Sequence, residues 1–150
     1  MTTTVTTATP AGRISVTTVA ARIVWFVVWA FVAAFAWFEV IKHGYLEGSA
    51  VDAIVLTATA VGAFVLPDLT FLVGAGQQVE QGYLPTRAVP FYNAMHRFLP
   101  SLLLTLIVGV GLAPLGPVEL VLFVAGLSWM AHVALDRAAG YGLRNADGSR

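Results

Sequence analysis

Cysteine is absent from the 150 residues, and charge is scarce: eight Lys+Arg and eight Asp+Glu amount to 11% of the chain. The first absence excludes a disulfide framework and any thiolate metal site. The second is more restrictive. A soluble domain carries about 25% charged residues, and this chain has too few to cover a water-soluble globule of its size. The net charge is zero, without a basic cluster, which argues against nucleic acid as a partner. No stretch alternates with period two over strand length, so a lipid-facing barrel is not expected. G-x-S-x-G, a Walker loop, a dinucleotide fingerprint and H-E-x-x-H are also missing.

What is present is apolar, at 58% hydrophobic residues. A bilayer core needs about 20 apolar residues per helix, because each residue rises about 1.5 Å across about 30 Å. Four windows meet that need: Val19 to Ile41, Val51 to Leu66 with an extension to Val73, Ala94 to Leu112, and Pro117 to Leu135. Backbone groups in lipid must be paired within the protein, which leaves helices. The expected fold is therefore all-α, a four-transmembrane-helix antiparallel bundle over residues 19–143. The threonine-rich leader Met1 to Thr18 reads as a solvated, disordered tail, and Arg144 to Arg150 reads the same way.

Four spans would place Arg13, Arg22, Arg87, Arg97, Arg137, Arg144 and Arg150 on one side and only Lys42 on the other. By the positive-inside rule both termini are then cytoplasmic, in a multi-pass protein of the inner (plasma) membrane. The outer connections are His43 to Ala50 and a tight turn at Ala113 to Pro117. The longest loop, Gly74 to Asn93, lies on the inner side as a lid or partner surface. Trp25 and Trp37 sit near opposite ends of the first window, as an aromatic belt places them. Ala30/Ala34 and Ala58/Gly62 are small-xxx-small pairs expected to bring the first two helices together.

The ionisable residues of the spans cluster at one level. Asp68 follows Pro67 at the inner end of the second window, Asn93 and His96 open the third, and His132 and Asp136, four apart on one helical face, close the fourth. Intramembrane ionisable groups are expensive and usually face a bundle interior or a water cavity. Two imidazoles and two carboxylates suit zinc or another divalent metal, with Asp68, His96, His132 and Asp136 as candidate ligands or acid/base groups. A structural reading competes: Asp68 caps a helix or pairs with Arg97, Asp136 pairs with an arginine, and His132 bonds a backbone carbonyl. In Asp136-Arg137-Ala138-Ala139-Gly140-Tyr141-Gly142-Leu143-Arg144, Gly140 can stop a helix, while Tyr141 and the arginines can meet lipid headgroups.

Pro67-Asp68-Leu69, Tyr92-Asn93-Ala94-Met95-His96, Trp129-Met130-Ala131-His132, Asp136-Arg137 and Gly140-Tyr141-Gly142-Leu143-Arg144 occur in an order that resembles the bacterial membrane family called domain of unknown function 4260. The resemblance covers roughly Phe64 to Arg144. Departures are Ile23 and Val24 after Arg22, where such proteins often carry an acidic residue, a longer loop from Gly74 to Pro90, and a tail without a His-containing extension. The resemblance implies a small four-helix integral membrane protein and brings no activity with it. It adds Asn93, Arg137 and Tyr141, as ligand-binding candidates, to the Asp68, His96, His132 and Asp136 cluster. The leading reading is an integral membrane protein of uncharacterised specific function with this Asp/His cluster at the cytoplasmic membrane boundary; its versions are a metal-dependent hydrolase acting on a lipid or other amphiphile, a homo-oligomeric module binding or transporting a small ion or lipid headgroup, and a cluster that is purely structural.

Overall fold

The structure is a computed structural model that describes residues 15–111 and 117–150, and every regular element among them is helical. Helix α1 spans Val16–Val40 and loosens into a π-helical end at Ile41–Leu46. It starts before the expected Val19 because the Ser15 hydroxyl accepts the Thr18 N–H and caps it. A reciprocal capping box of Ser49 and Asp52 opens α2, Ala50–Val65. Pro67 lacks the N–H that would bond the Ala63 carbonyl four residues back, and its ring crowds that oxygen. There α2 gives way to a tighter 3-10 segment, Leu66–Gly74. The chain continues through α3, Val89–Met95, then α4, Phe98–Gly109, and α5, Pro117–Ala139. Residues 1–14, most of the expected disordered leader, and 112–116, most of the expected outer turn, lie outside the described residues.

Among the described residues, three helices are long and apolar enough to cross a bilayer: Val16–Leu46, Ala50–Gly74 and Val118–Ala139. The third expected window, Ala94 to Leu112, is instead interrupted at His96 and Arg97, where Arg97 is extended (φ −81°, ψ 131°). Pro100 explains the interruption. In a continuous helix its N–H would bond the His96 carbonyl, but proline has none and its ring would strike that oxygen. Proline is tolerated in the first turn of a new helix, which is where α4 places it. The 12 residues of α4 extend about 18 Å, short of the roughly 30 Å hydrocarbon core.

Helix α5 is the hub, with α1, α2 and α4 all packed on it. Val32 and Ala36 of α1 meet Leu127, Met130 and Ala131, while Val40, Leu56 and Ala60 meet Val124. Large apolar side chains cover the outside, among them Phe26, Phe31, Phe38, Ile54 and Leu72. Each would cost about 25 cal/mol per Å² against water, so this surface suits a hydrocarbon surrounding.

Neighbouring helices come close at two glycines. A Cβ on Gly126 of α5 would stand 2.5 Å from Thr105 Oγ1 and 3.1 Å from the Thr105 nitrogen of α4, and one on Gly44 would meet the Ala53 backbone at 3.0 Å. The expected pairing of Ala30/Ala34 with Ala58/Gly62 is corrected: all four are exposed, and a Cβ on Gly62 meets nothing within 4 Å. Helices α1 and α2 each pack chiefly on α5 and little on one another, which turns these small residues outward.

The C-terminal segment is a second correction. Gly140, at φ +89°, ends α5. The Asn93 amide then donates to the Arg144 carbonyl and accepts its N–H, both at 2.8 Å, and the Leu84 N–H donates to the Gly148 carbonyl at 2.9 Å. Residues Arg144 to Arg150 are thus ordered against α3 and the loop before it, with Asn145, Ala146, Asp147 and Arg150 still exposed, because one side-chain amide offers the donor and acceptor that a neighbouring strand would.

Substituting Gly126→Val is expected to destabilise the fold by about 1–3 kcal/mol through overpacking. Gly62→Ala should leave stability unchanged or raise it by about 0.5–1 kcal/mol, as alanine replaces glycine in a helix interior. Thermal unfolding in detergent measures both, and an unperturbed Gly126→Val protein would contradict the α4–α5 contact.

Candidate metal centre at one end of the bundle

The helix break leaves two carbonyls without their helical donors, and α5 supplies replacements. Trp129 Nε1–H donates to the Met95 carbonyl at 2.6 Å, and Arg137 Nη2–H donates to the His96 carbonyl at 2.8 Å. Pinned in this way, the His96 ring lies against Tyr92, with centroids 3.8 Å apart and planes at 19°. Its Nδ1 is 2.9 Å from the Tyr92 carbonyl. A carbonyl only accepts, so Nδ1 carries the proton and a neutral ring presents a bare Nε2.

That Nε2 faces three other polar atoms. His132 Nε2 is 3.3 Å away. Asp68 Oδ1, set by the proline turn after α2, lies 3.6 Å from both imidazole Nε2 atoms. Asp136 Oδ2, one turn beyond His132, lies 3.4 Å from His96 and 3.9 Å from His132. The imidazoles are buried, at 1% and 5% exposure, whereas the Asp68 side chain is 51% exposed and opens the cluster to one side. The Phe64 ring closes another side, edge-on to His132 at 5.3 Å.

A lone pair on His96 cannot rest against two carboxylates and a second imidazole without positive charge between them. The cluster therefore shares either protons or a cation. Asp68, His96 and His132 each offer a ligand atom within 4.8 Å of the others. Tetrahedral zinc with bonds of about 2.0–2.2 Å sets its ligand atoms about 3.3–3.6 Å apart, and the separations here are 3.3, 3.6 and 3.6 Å. Two carboxylates also balance a divalent charge. Among the described residues no arginine or lysine comes within ion-pair distance of Asp68 or Asp136; the imidazoles are their partners.

The remaining sequence candidates frame the cluster without entering it. Asn93 holds the Arg144 backbone. Arg137 bridges the His96 carbonyl and, through Nη1 at 2.9 Å, the Tyr141 carbonyl. The Tyr141 ring points outward beneath the Arg150 guanidinium, 4.6 Å from the ring centroid. Tyr92, Trp129 and Phe64 were not singled out by the sequence reading, though they shape the site directly. The Tyr92 hydroxyl donates to the Gly142 carbonyl at 3.3 Å. Pro100 was the available signal for the break, since a proline four residues after a histidine frees that histidine's carbonyl.

Fold and site together define an all-helical chain with three membrane-length apolar helices and an Asp/His cluster at one end of them. The sequence model of the family described as Domain of unknown function (DUF4260) matches residues 57–150, which include all four cluster residues, and the chain belongs to that family. No curated protein and no solved structure matches it.

Arg137→Ala is expected to cost about 1–3 kcal/mol, the penalty of leaving the His96 carbonyl buried and unpaired. Arg137→Lys should restore part of this, since one ammonium cannot span both carbonyls in the fixed fork of a guanidinium. Unfolding midpoints of the three proteins check this, and equal midpoints would contradict the bracing role.

Proposed function

We propose that this chain is an integral membrane metalloprotein that binds one divalent transition-metal ion, zinc first, between Asp68, His96 and His132, with Asp136 as a fourth ligand or as base. The observation that carries this reading is the compact donor triangle around a His96 Nε2 whose proton is committed to the opposite ring nitrogen. Imidazole nitrogen favours zinc, copper, iron or nickel over magnesium or calcium.

The reaction class that suits this site is hydrolysis. A metal with an open position lowers the pKa of bound water toward about 7. The residues supply the rest. Exposed Asp68 leaves the site accessible to water, and Asp136, within 3.4 Å of His96, is placed to accept a proton. The Tyr92 carbonyl fixes the His96 tautomer, as outer partners of metal-bound histidines do. The substrate is an amphiphile, because the cluster lies at one end of membrane-length helices.

For the membrane arrangement, α1, α2 and α5 cross fully and the third crossing is assembled from the end of α3 and α4. Helix α4 begins beside the cluster rather than at the membrane surface, so its shorter length suffices. Seven arginines against Lys42 support cytoplasmic termini at both ends.

Purified protein is expected to hold close to one zinc per chain by elemental analysis, with a loss of affinity beyond about 100-fold in His96→Ala and His132→Ala, since changes to outer partners alone cost about 10–100-fold. No stoichiometric metal, or unchanged metal in both variants, would overturn the reading. Reporters fused to either terminus should signal from the cytoplasmic side, and an external signal would reverse the orientation.

A further inference from the structure

Beside the metal centre, on the far side of Phe64, lies a cavity of about 250 Å³ between α1, α2 and α5. Trp29, Ala33 and Trp37 line it from α1, Val61 and Phe64 from α2, and Ser128 from α5. The α1 residues are four apart, so they form one face about 12 Å long at 1.5 Å per residue. The lining is almost wholly apolar, and Ser128 brings its one aliphatic hydroxyl. Phe64 belongs to both places: it lines the cavity and stands edge-on to His132.

We propose that this slot receives the acyl chain of a single-chain amphiphile whose polar head lies at the Asp68–His96–His132 cluster. The assignment deepens the membrane and metal reading and rests on it for the position of the head. Three observations favour this occupant. The slot is formed by segments of three membrane-length helices, so lipid tails are its surroundings. Its volume over about 12 Å admits a hydrocarbon chain, whereas a protein helix needs a cylinder about 10 Å across. A single aromatic ring, Phe64, separates it from the Asp68, His96 and His132 group, the one such group of possible metal ligands among the described residues. An apolar slot one ring away from imidazoles and carboxylates matches a molecule that is greasy along its length and polar at one end.

The test uses the full chain in lipid nanodiscs with a palmitate analogue carrying a mid-chain diazirine, activated by light, and labelled residues mapped by mass spectrometry. Label is expected on residues 29–37 and 60–65 and should be competed away by excess unlabelled palmitate. Val61→Phe, at an exposed position that tolerates bulk, and Ala33→Phe fill the slot from opposite walls. Each should reduce the competable label about tenfold, equivalent to about 1.4 kcal/mol, while zinc content stays at the wild-type level. Label that is not competed, or that spreads evenly over outward residues such as Phe31, Phe38 and Ile54, overturns the proposal. So does competable label unchanged in both filled variants. Competable label at the slot in a protein that binds no zinc supports the acyl site and removes the metal reading, which separates the two failures.

Discussion

Everything at the Asp/His end of the bundle depends on how two freed carbonyls are satisfied. Pro100 prevents a continuous third helix, and the break exposes the Met95 and His96 oxygens where water is scarce. An unpaired carbonyl there costs on the order of 1–3 kcal/mol, and irregular backbone at membrane depth persists only where protein groups take up its polar atoms. Helix α5 meets the cost with Trp129 and Arg137. Those two bonds fix the end of α3, and with it the His96 ring, against the helix that carries His132 and Asp136. The Asp/His cluster is therefore a consequence of how the break is repaired, with both halves of the repair and two of the four cluster residues on one helix.

The same helix organises the fold. Because α1, α2 and α4 pack chiefly on α5, α5 carries a close helix–helix contact, at Gly126, as well as two of the cluster residues. The thinly shared α1–α2 boundary leaves room for the slot beside Phe64. The C-terminal segment completes the arrangement from outside: Asn93 grips Arg144, and Tyr92, one residue earlier, is the platform beneath His96.

Much of this was legible in the residues. Apolar runs at helical length identified α1, α2 and α5, since hydropathy registers long helices directly. The grouping of Asp68, His96, His132 and Asp136 followed from their common depth in an antiparallel bundle, and i,i+4 spacing alone placed His132 beside Asp136. Three things were hidden. The break at His96 was masked by the hydropathy of residues 94–112, which averages over Pro100. The facing of Ala58 and Gly62 was decided by a hub that neither small-residue pair reveals. The docked tail depends on one asparagine amide pairing with backbone about fifty residues away, and polar composition gives no sign of it.

The central claim is that His96 and His132, brought together by this repair, bind one metal ion. Zinc-edge X-ray absorption on the purified protein tests it most directly. The expected result is a four-coordinate first shell with two imidazole nitrogens at about 2.0–2.1 Å and carboxylate or water oxygens at about 2.0–2.2 Å, the imidazole scattering falling to one ring in His96→Ala. A first shell of oxygen alone, or imidazole scattering indifferent to loss of His96, would contradict it.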